Sequence, residues 1–387
     1  MCPGERAYFA GRRAVVIHSP HAGRSALLSL ALAALEHVGI DIALVLPISK
    51  VEEANGVVGL WKARGINLIV AAGGDGLVGS VAKYAVEGQL PLGIFPLGTA
   101  NDLARSVGIP HDLAAAAQVM ASGASRRIDL GLSRSPQQSS PSASCPSPRS
   151  QEPRLFTHAL TVGLSVQFAQ VATNKAIRQR YGRLTYPFAL WQAFQAYHPL
   201  DVEIHLQDVA LRSTPSSSLL PAQAQDHLVL RSQIAQVTAV NAPIFWGVFE
   251  GSVPSVSFTD RRLDIVVIEQ TSRSQLARRM LHFFLSRDQR LPDKQSWHAR
   301  YPDLLPAELT ALPGIHHLQA RSMTIFTENE PQPVTLDGEV STQTPVEACV
   351  ADEQLELLVP QDASGSAAST KAQAMWTARL RLILRGL

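Results

Sequence analysis

Leu68-Ile-Val-Ala-Ala-Gly-Gly-Asp-Gly76 decides the reading of the first third of the chain. Five apolar residues form a short strand and run into a Gly-Gly-Asp-Gly turn. From Val78 to Glu87 the apolar positions recur with helical period. Glycines let a backbone turn tightly and come close to a ligand. The helix that follows offers N–H groups without partners, and the positive end of its dipole, to anionic oxygens. Asp75 sets a carboxylate beside that cradle, suited to Mg²⁺ or to polarising a hydroxyl. The bland reading is a plain strand-to-helix turn with an aspartate cap.

The same pattern repeats outward. Ala14–Ile17 is a β-branched run ending at the turn Ser19-Pro-His-Ala-Gly23, and helical spacing follows from 25 to 38. Residues 41–46 read as a second strand and 51–64 as a helix. Residues 92–95 form a fourth strand, ending at Pro96-Leu-Gly-Thr-Ala-Asn-Asp-Leu-Ala-Arg105. Strand, turn and helix in repetition predict a parallel sheet with helices on both faces, with ligands at the carboxyl ends of the strands. The second turn packs Gly98, Thr99, Asn101, Asp102 and Arg105 into one such end. A helix start capped by Thr99 or Asn101 would explain it alone. Two such turns at neighbouring strand ends point instead to a phosphate site.

The chain has 387 residues, 46% hydrophobic and 17% charged, enough for two domains with ordinary cores. A net charge of +2 and the lack of a long Lys/Arg run argue against nucleic acid. Cys2, Cys145 and Cys349 fit neither a zinc spacing nor a disulfide framework, which suits a reducing compartment. No apolar run is long enough to span a bilayer, and residues 1–11 lack the apolar core of a secretory signal. Scattered histidines, among them His282, His316 and His317, suggest no transition-metal site.

Character changes at 133–153, where 13 of 21 residues are Ser or Pro, the composition of a disordered linker. A shorter stretch of this kind spans 213–226. Strand signals dominate afterwards, at 156–162, 202–206, 237–240, 263–268, 322–326 and 355–359, with helical stretches at 166–196 and 274–287. The expected organisation is an α/β domain over 12–132 and a linker over 133–153. A mainly β, sandwich-like domain over 154–349 follows, with 350–387 returning to the first domain.

The two turns together resemble the catalytic domain shared by diacylglycerol kinases, sphingosine kinases and bacterial soluble lipid kinases. Ser19-Pro-His-Ala-Gly-Arg24 stands where that family has Asn-Pro-x-Ala-Gly, and Ile128-Asp-Leu-Gly131 matches its Ile-Asp-Leu-Gly. Gly163 to Tyr186, Asn241 with Gly247, Pro254 and Leu263-Asp264 fit its later segments, and Leu336-Asp-Gly-Glu339 its late Asp-Gly-Glu motif. The resemblance runs from about 12 to 360.

It implies an active site in the cleft between a nucleotide domain and a lipid domain, and transfer of the γ-phosphoryl of Mg-ATP to diacylglycerol or a related lipid. ATP and Mg²⁺ are the implied cofactors. By the same resemblance Ser19, Gly73, Gly74, Asp75, Gly76, Gly98 and Thr99 bind ATP. Asp75 also holds its Mg²⁺. Asn101, Asp102, Arg105 and Asp129 form the network around phosphates and acceptor, and Glu339 or Asp337 is the general base. Phosphoryl transfer is mostly positioning and charge neutralisation, with a carboxylate taking the hydroxyl proton. Without the resemblance, Asp337-Gly338 reads as a hairpin turn.

The chain departs from the family pattern in places. Leu77 and Ser80 stand where Thr and Glu are usual, and Ser19 replaces Asn. The family's structural metal loop Asp-Asp-Gly-x-Leu-Asp appears as Thr259-Asp-Arg-Arg-Leu-Asp264. One acidic residue is missing, which weakens a structural Mg²⁺ site at Asp260 and Leu263. The alternatives are an NAD kinase, which also carries Gly-Gly-Asp-Gly, and a catalytically weak lipid-binding regulator. The expected setting is cytoplasmic and peripheral to a membrane holding the lipid, with a homodimer allowed and no nucleic acid partner. At 371–387 Trp376, Leu380, Ile383 and Leu387 form an apolar stripe among Lys371, Arg379, Arg381 and Arg385. That stripe suits an interfacial helix or a docked one equally.

Overall fold

The computed structural model describes residues 11–20, 24–54, 56–136, 152–172, 177, 185–210, 225–242, 244–245, 251–252, 257–270 and 315–361. They fall into two compact units. Unit one is Met1–Ile128, Trp246–Gly251 and Glu353–Leu387; unit two is Asp129–Phe245 and Ser252–Asp352.

Unit one is built on strands β1 (Arg13–His18), β2 (Asp41–Pro47), β3 (Leu68–Gly73) and β4 (Leu92–Pro96). Every residue of β3 and β4 is buried, the continuous apolar pattern of a strand covered on both faces. The order is β2-β1-β3-β4, and all three pairings are parallel. The end of a later strand, β17 (Val346–Val359), adds beside β4 in parallel through Leu357 and Leu92. Helices α1 (Leu28–His37), α2 (Ile48–Glu52), α3 (Val57–Ala63), α4 (Asp75–Gly88), α5 (Asp102–Ser106) and α6 (Leu113–Ser122) connect them. Crossovers between parallel strands are right-handed, so the reversal of strand order after β2 sends the helices to opposite faces. Accordingly α1 packs with α6, and α3 with α4. The strand order reverses between β1 and β3, which makes their carboxyl ends the switch point where ligands bind in such sheets.

Sequence periodicity predicts one helix over 51–64; the structure has two. Gly56 separates α2 from α3 at φ +67°, a left-handed conformation that no α-helix continues through.

Unit two is antiparallel. Its strands are the remainder of β5 (Ala124–Arg134), β6 (Arg154–Phe156), β7 (Ala159–Gly163), β8 (Leu200–Val209), β9 (Gln225–Val240), β10 (Ile244–Phe245), the end of β11 (Gly251–Ser252), β12 (Leu263–Glu269), β13 (Ile315–Ala320), β14 (Ser322–Thr327), β15 (Pro333–Leu336), β16 (Glu339–Gln343) and the start of β17. Strand β9 explains the layering. Its first half pairs with β8, and its second half lies between β7 and β12. The alternating residues Val202, Ile204 and Leu206 of β8, Leu263, Ile265 and Val267 of β12, and Met323 and Ile325 of β14 fill one core. Helices α7 (Leu164–Ala172) and α8 (Thr185–Gln195) pack on each other.

Several boundaries move relative to the sequence reading. The expected strand 156–162 is β6 and β7, broken at Thr157-His158, whose backbone N–H groups bond elsewhere. Residues 237–240 and 355–359 are the ends of the longer strands β9 and β17, and 166–196 divides into α7 and α8. The division between units falls inside β5 and β17, at Ile128/Asp129 and Asp352/Glu353, not at 132 and 349. Composition marks only the loop: Ser133 is a buried strand residue facing Arg154, and Arg134 makes a two-pronged bond to Glu347 at 3.0 and 2.8 Å. Residues 137–151, the helical stretch 274–287 and the basic segment 371–387 lie outside the described residues. No helix among the described residues is long and apolar enough to cross a membrane.

Candidate functional site

In unit one the turns after β3 and β4 are one construction. Leu97 N–H and Gly98 N–H both donate to Gly73 O, at 2.9 and 3.2 Å. Gly74 and Gly98 pass backbone to backbone: a Cβ built on Gly98 would stand 2.4 Å from Gly74 Cα, and one on Gly74 3.1 Å from Gly98 Cα. Neither position has room for a larger residue. Asn101, buried and at φ +52°, closes the second turn. Its Oδ1 accepts from Gly98 N–H at 2.9 Å, and its Nδ2 donates to Gly98 O at 3.0 Å and Pro96 O at 3.3 Å.

Asp75 opens α4, and its Oδ1 accepts the backbone N–H of Leu103 at 3.0 Å. It therefore caps α5 across the two turns, 28 residues away in sequence. The loop after β1 joins the same end of the sheet, where Arg24 N–H donates to Leu97 O at 3.0 Å and Ser19 is half-buried. The structure thus brings Gly73, Gly74, Asp75, Gly98, Asn101 and Asp102 together at the switch point. The first turn of α4 leaves its N–H groups without helical acceptors, as every helix start does. Gly98 N–H is spent inside the turn, so Gly98 serves by its lack of a side chain.

The electrostatics are positive at the rim. Arg105 Nη1 lies 3.4 Å from Asp102 Oδ1, with Asp102 buried. The His111 imidazole is held below its ordinary range by burial and by the charges of Arg24 and Arg105. Sequence reasoning missed Arg24 as a charge at this rim, for which the Arg-Ser dipeptide closing the Ser19 turn was the signal, and missed His111 beside it.

In unit two, Asp337 and Gly338 form the hairpin between β15 and β16 at φ +50° and +85°, the left-handed pair that an Asp-Gly turn supplies. The Asp337 carboxylate turns inward. Oδ2 accepts from Thr157 N–H at 2.9 Å and Thr157 Oγ1 at 3.0 Å; Oδ1 accepts from His158 N–H at 2.8 Å and Ala159 N–H at 3.1 Å. Burial pushes this carboxyl up, against the pull of His158 and the three backbone donors. Four donors give Asp337 the geometry of an anchor for the β6–β7 break. Glu339 follows on β16 and is exposed. Asn241 continues the network, its Nδ2 donating to Thr157 O at 3.0 Å and Asp129 O at 2.8 Å. The Asn241 Oδ1 atom is buried and accepts from no donor among the described residues.

Asp129 belongs to unit two, fully buried, and both its oxygens face Arg261. Oδ2 accepts Arg261 N–H at 2.8 Å, and Oδ1 lies 3.4 Å from Arg261 Nη1. The residues do not fit the structural Mg²⁺ that the resemblance implies at Asp260 and Leu263. Asp260 accepts from Arg262 N–H at 3.2 Å and Gln319 Nε2 at 3.3 Å. Among the described residues no group of three or more acidic, His or Cys side chains is arranged as a metal site. His317 is a core residue, bonded to buried Asp264 at 2.6 Å, and His316 bonds to Glu269 at 2.8 Å.

The diacylglycerol kinase catalytic domain model matches residues 13–133. Residues 13–133 thus resemble the catalytic domain of diacylglycerol kinases. A diacylglycerol kinase of Mycobacterium tuberculosis is 31% identical over 123 residues, 31% of this chain and 40% of that protein. An uncharacterized protein of Synechocystis is 26% identical over 78% of this chain, which spans 57% of its length. A diacylglycerol kinase of Staphylococcus saprophyticus is 22% identical over 91% of this chain and 96% of its own. A solved diacylglycerol kinase structure from Bacillus anthracis aligns over 90% of this chain and 97% of its own with a TM-score of 0.52 at 17% identity, a likeness of fold. The catalytic-domain match ends at residue 133, so it spans β1 to β5, including both glycine turns.

Proposed function

We propose that this protein is a lipid kinase that transfers the γ-phosphoryl of Mg-ATP to the hydroxyl of diacylglycerol or a related lipid. The observation that carries the reading is the double turn at the switch point of unit one. Gly74 and Gly98 touch backbone to backbone there, and Asp75 is fixed by Leu103 N–H. A surface stripped of side chains at a helix start is what a polyphosphate needs.

The chain's own groups divide the work. The Gly73-Gly74-Asp75-Gly76 turn and the first turn of α4 hold phosphate oxygens through backbone N–H groups. Thr99 and Ser19 border them, and Arg105 offsets phosphate charge. Asp75 keeps one oxygen on Leu103 and has capacity on the other for a cation. Bound Mg²⁺ would neutralise phosphate charge. In unit two Asp337 fixes the hairpin, and Glu339 takes the proton of the lipid hydroxyl as general base. The assignment goes to Glu339 because Asp337 has its oxygens committed to four donors.

Incubation with γ-labelled Mg-ATP and a lipid panel tests this, with NAD as a separate acceptor. Label in an organic-soluble phosphomonoester supports a lipid kinase. Label in NADP supports an NAD kinase. Lipid binding with no label in any acceptor supports a regulatory lipid binder.

A further inference from the structure

The family loop Asp-Asp-Gly-x-Leu-Asp reads here Thr259-Asp-Arg-Arg-Leu-Asp264, so an acidic residue is lost and Arg261 stands at the glycine position. Arg261 adopts φ +58°, a backbone conformation natural for glycine and unfavourable for a residue with a Cβ. Something must hold it there, and the contacts of Arg261 identify what does. Its backbone N–H and guanidinium both reach the buried carboxylate of Asp129, at 2.8 and 3.4 Å. The far prong of the guanidinium donates to Asp352 O at 3.2 Å.

The loop is closed around this contact. Arg262 N–H donates to Asp260 Oδ1, and its guanidinium grips Asp208 through the backbone carbonyl and Oδ1. Gln319 Nε2 bridges Asp260 and Asp264 at 3.3 and 3.4 Å, and His317 takes the other oxygen of Asp264. Asp129, Asp260 and Asp264 thus gather in one part of unit two and are met by Arg261, Arg262, His317 and Gln319 of the same unit. A fully buried carboxylate needs a counter-charge or several donors. A divalent ion is one solution, and a guanidinium presented by a left-handed loop residue is another.

We propose that Arg261 is a built-in cation that replaces a structural divalent ion in the second unit, so that this unit folds and stays folded without metal. The charge of Asp129 is balanced from within the chain. The inference concerns stability and holds whether or not the chain is a lipid kinase.

Melting of the full-length protein tests it without any activity assay. Wild type is melted in EDTA and in millimolar Mg²⁺ or Mn²⁺, in the absence of nucleotide. Arg261→Gly, Asp129→Asn and the double variant are then melted in EDTA. Glycine keeps the left-handed turn and removes the guanidinium with its contacts to Asp129 and Asp352 O. The expected results are an unchanged wild-type midpoint and a loss of several degrees in Arg261→Gly. The double variant should lose clearly less than the sum of the two singles, because without the Asp129 charge the loss of the guanidinium matters less. If Arg261→Gly does not fold, Arg261→Lys takes its place, retaining the charge and losing the fork, and the wild-type comparison still decides. A wild-type midpoint that drops in EDTA, or single losses that simply add, would overturn the proposal.

Discussion

Gly98→Ala puts the construction of the first unit to a direct test. The added Cβ would sit 2.4 Å from Gly74 Cα, 3.1 Å from Gly74 N and 2.8 Å from Asn101 Oδ1. The first two are backbone atoms, which cannot swing away as a side chain can. The turns must part by about 1 Å to reach ordinary contact distance. That movement loosens the bonds from Leu97 N–H and Gly98 N–H to Gly73 O, each worth about 1 kcal/mol, and adds overpacking strain of about 1–3 kcal/mol. We expect a loss of about 2–4 kcal/mol in urea unfolding, followed by circular dichroism. Gly74→Ala meets Gly98 Cα at 3.1 Å and should cost less. ATP affinity should fall in both variants, in the same order. A Gly98→Ala protein as stable as wild type, with unchanged nucleotide binding, would refute the reasoning.

Three further expectations follow from individual contacts. Asp75→Asn keeps an oxygen for Leu103 N–H and should hold its melting point, whereas Asp75→Ala loses about 1 kcal/mol of cap as well; both should lose turnover by roughly 10²-fold or more. Glu339→Gln should lower turnover by roughly 10²-fold with stability and ATP KM unchanged, while Asp337→Asn turns an amide toward backbone donors and should lose about 2–4 kcal/mol of stability; equal stability of the two would contradict the assigned roles. His111 is depressed below its ordinary 6.5, so below that value the unfolded chain binds more protons than the native one. Stability should therefore fall as pH drops through and below about 6.5, and His111→Gln should flatten that limb of the melting-point profile.

The parallel sheet was legible because β3 and β4 are uniform apolar runs ended by glycine turns, a local signal. Their mutual contact was not: nothing at Gly74 announces Gly98 as its neighbour, and the phosphate argument for glycine hides the packing argument. Asp75 was read as a ligand from its place beside the turn, and its cap on Leu103 depends on a contact across 28 residues. At the late motif the structure shows the hairpin turn. Asp337 and Gly338 make the turn, and the exposed carboxylate is one residue further on. The loop from Thr259 to Asp264 read as a metal loop short of one carboxylate, because sequence does not show the Arg261 guanidinium that reaches Asp129. The long strand β9 was half hidden, since its first residues are polar where one face is solvated.

The central claim is a phosphoryl transfer from ATP to a lipid hydroxyl. Its most direct measurement offers γ-labelled Mg-ATP with diacylglycerol, sphingosine and NAD in one mixed-micelle reaction and follows where the label goes. The account predicts label in the phosphomonoester of a lipid, lost in Asp75→Asn and in Glu339→Gln. Label appearing in NADP, or lipid labelling that survives both substitutions, would contradict it.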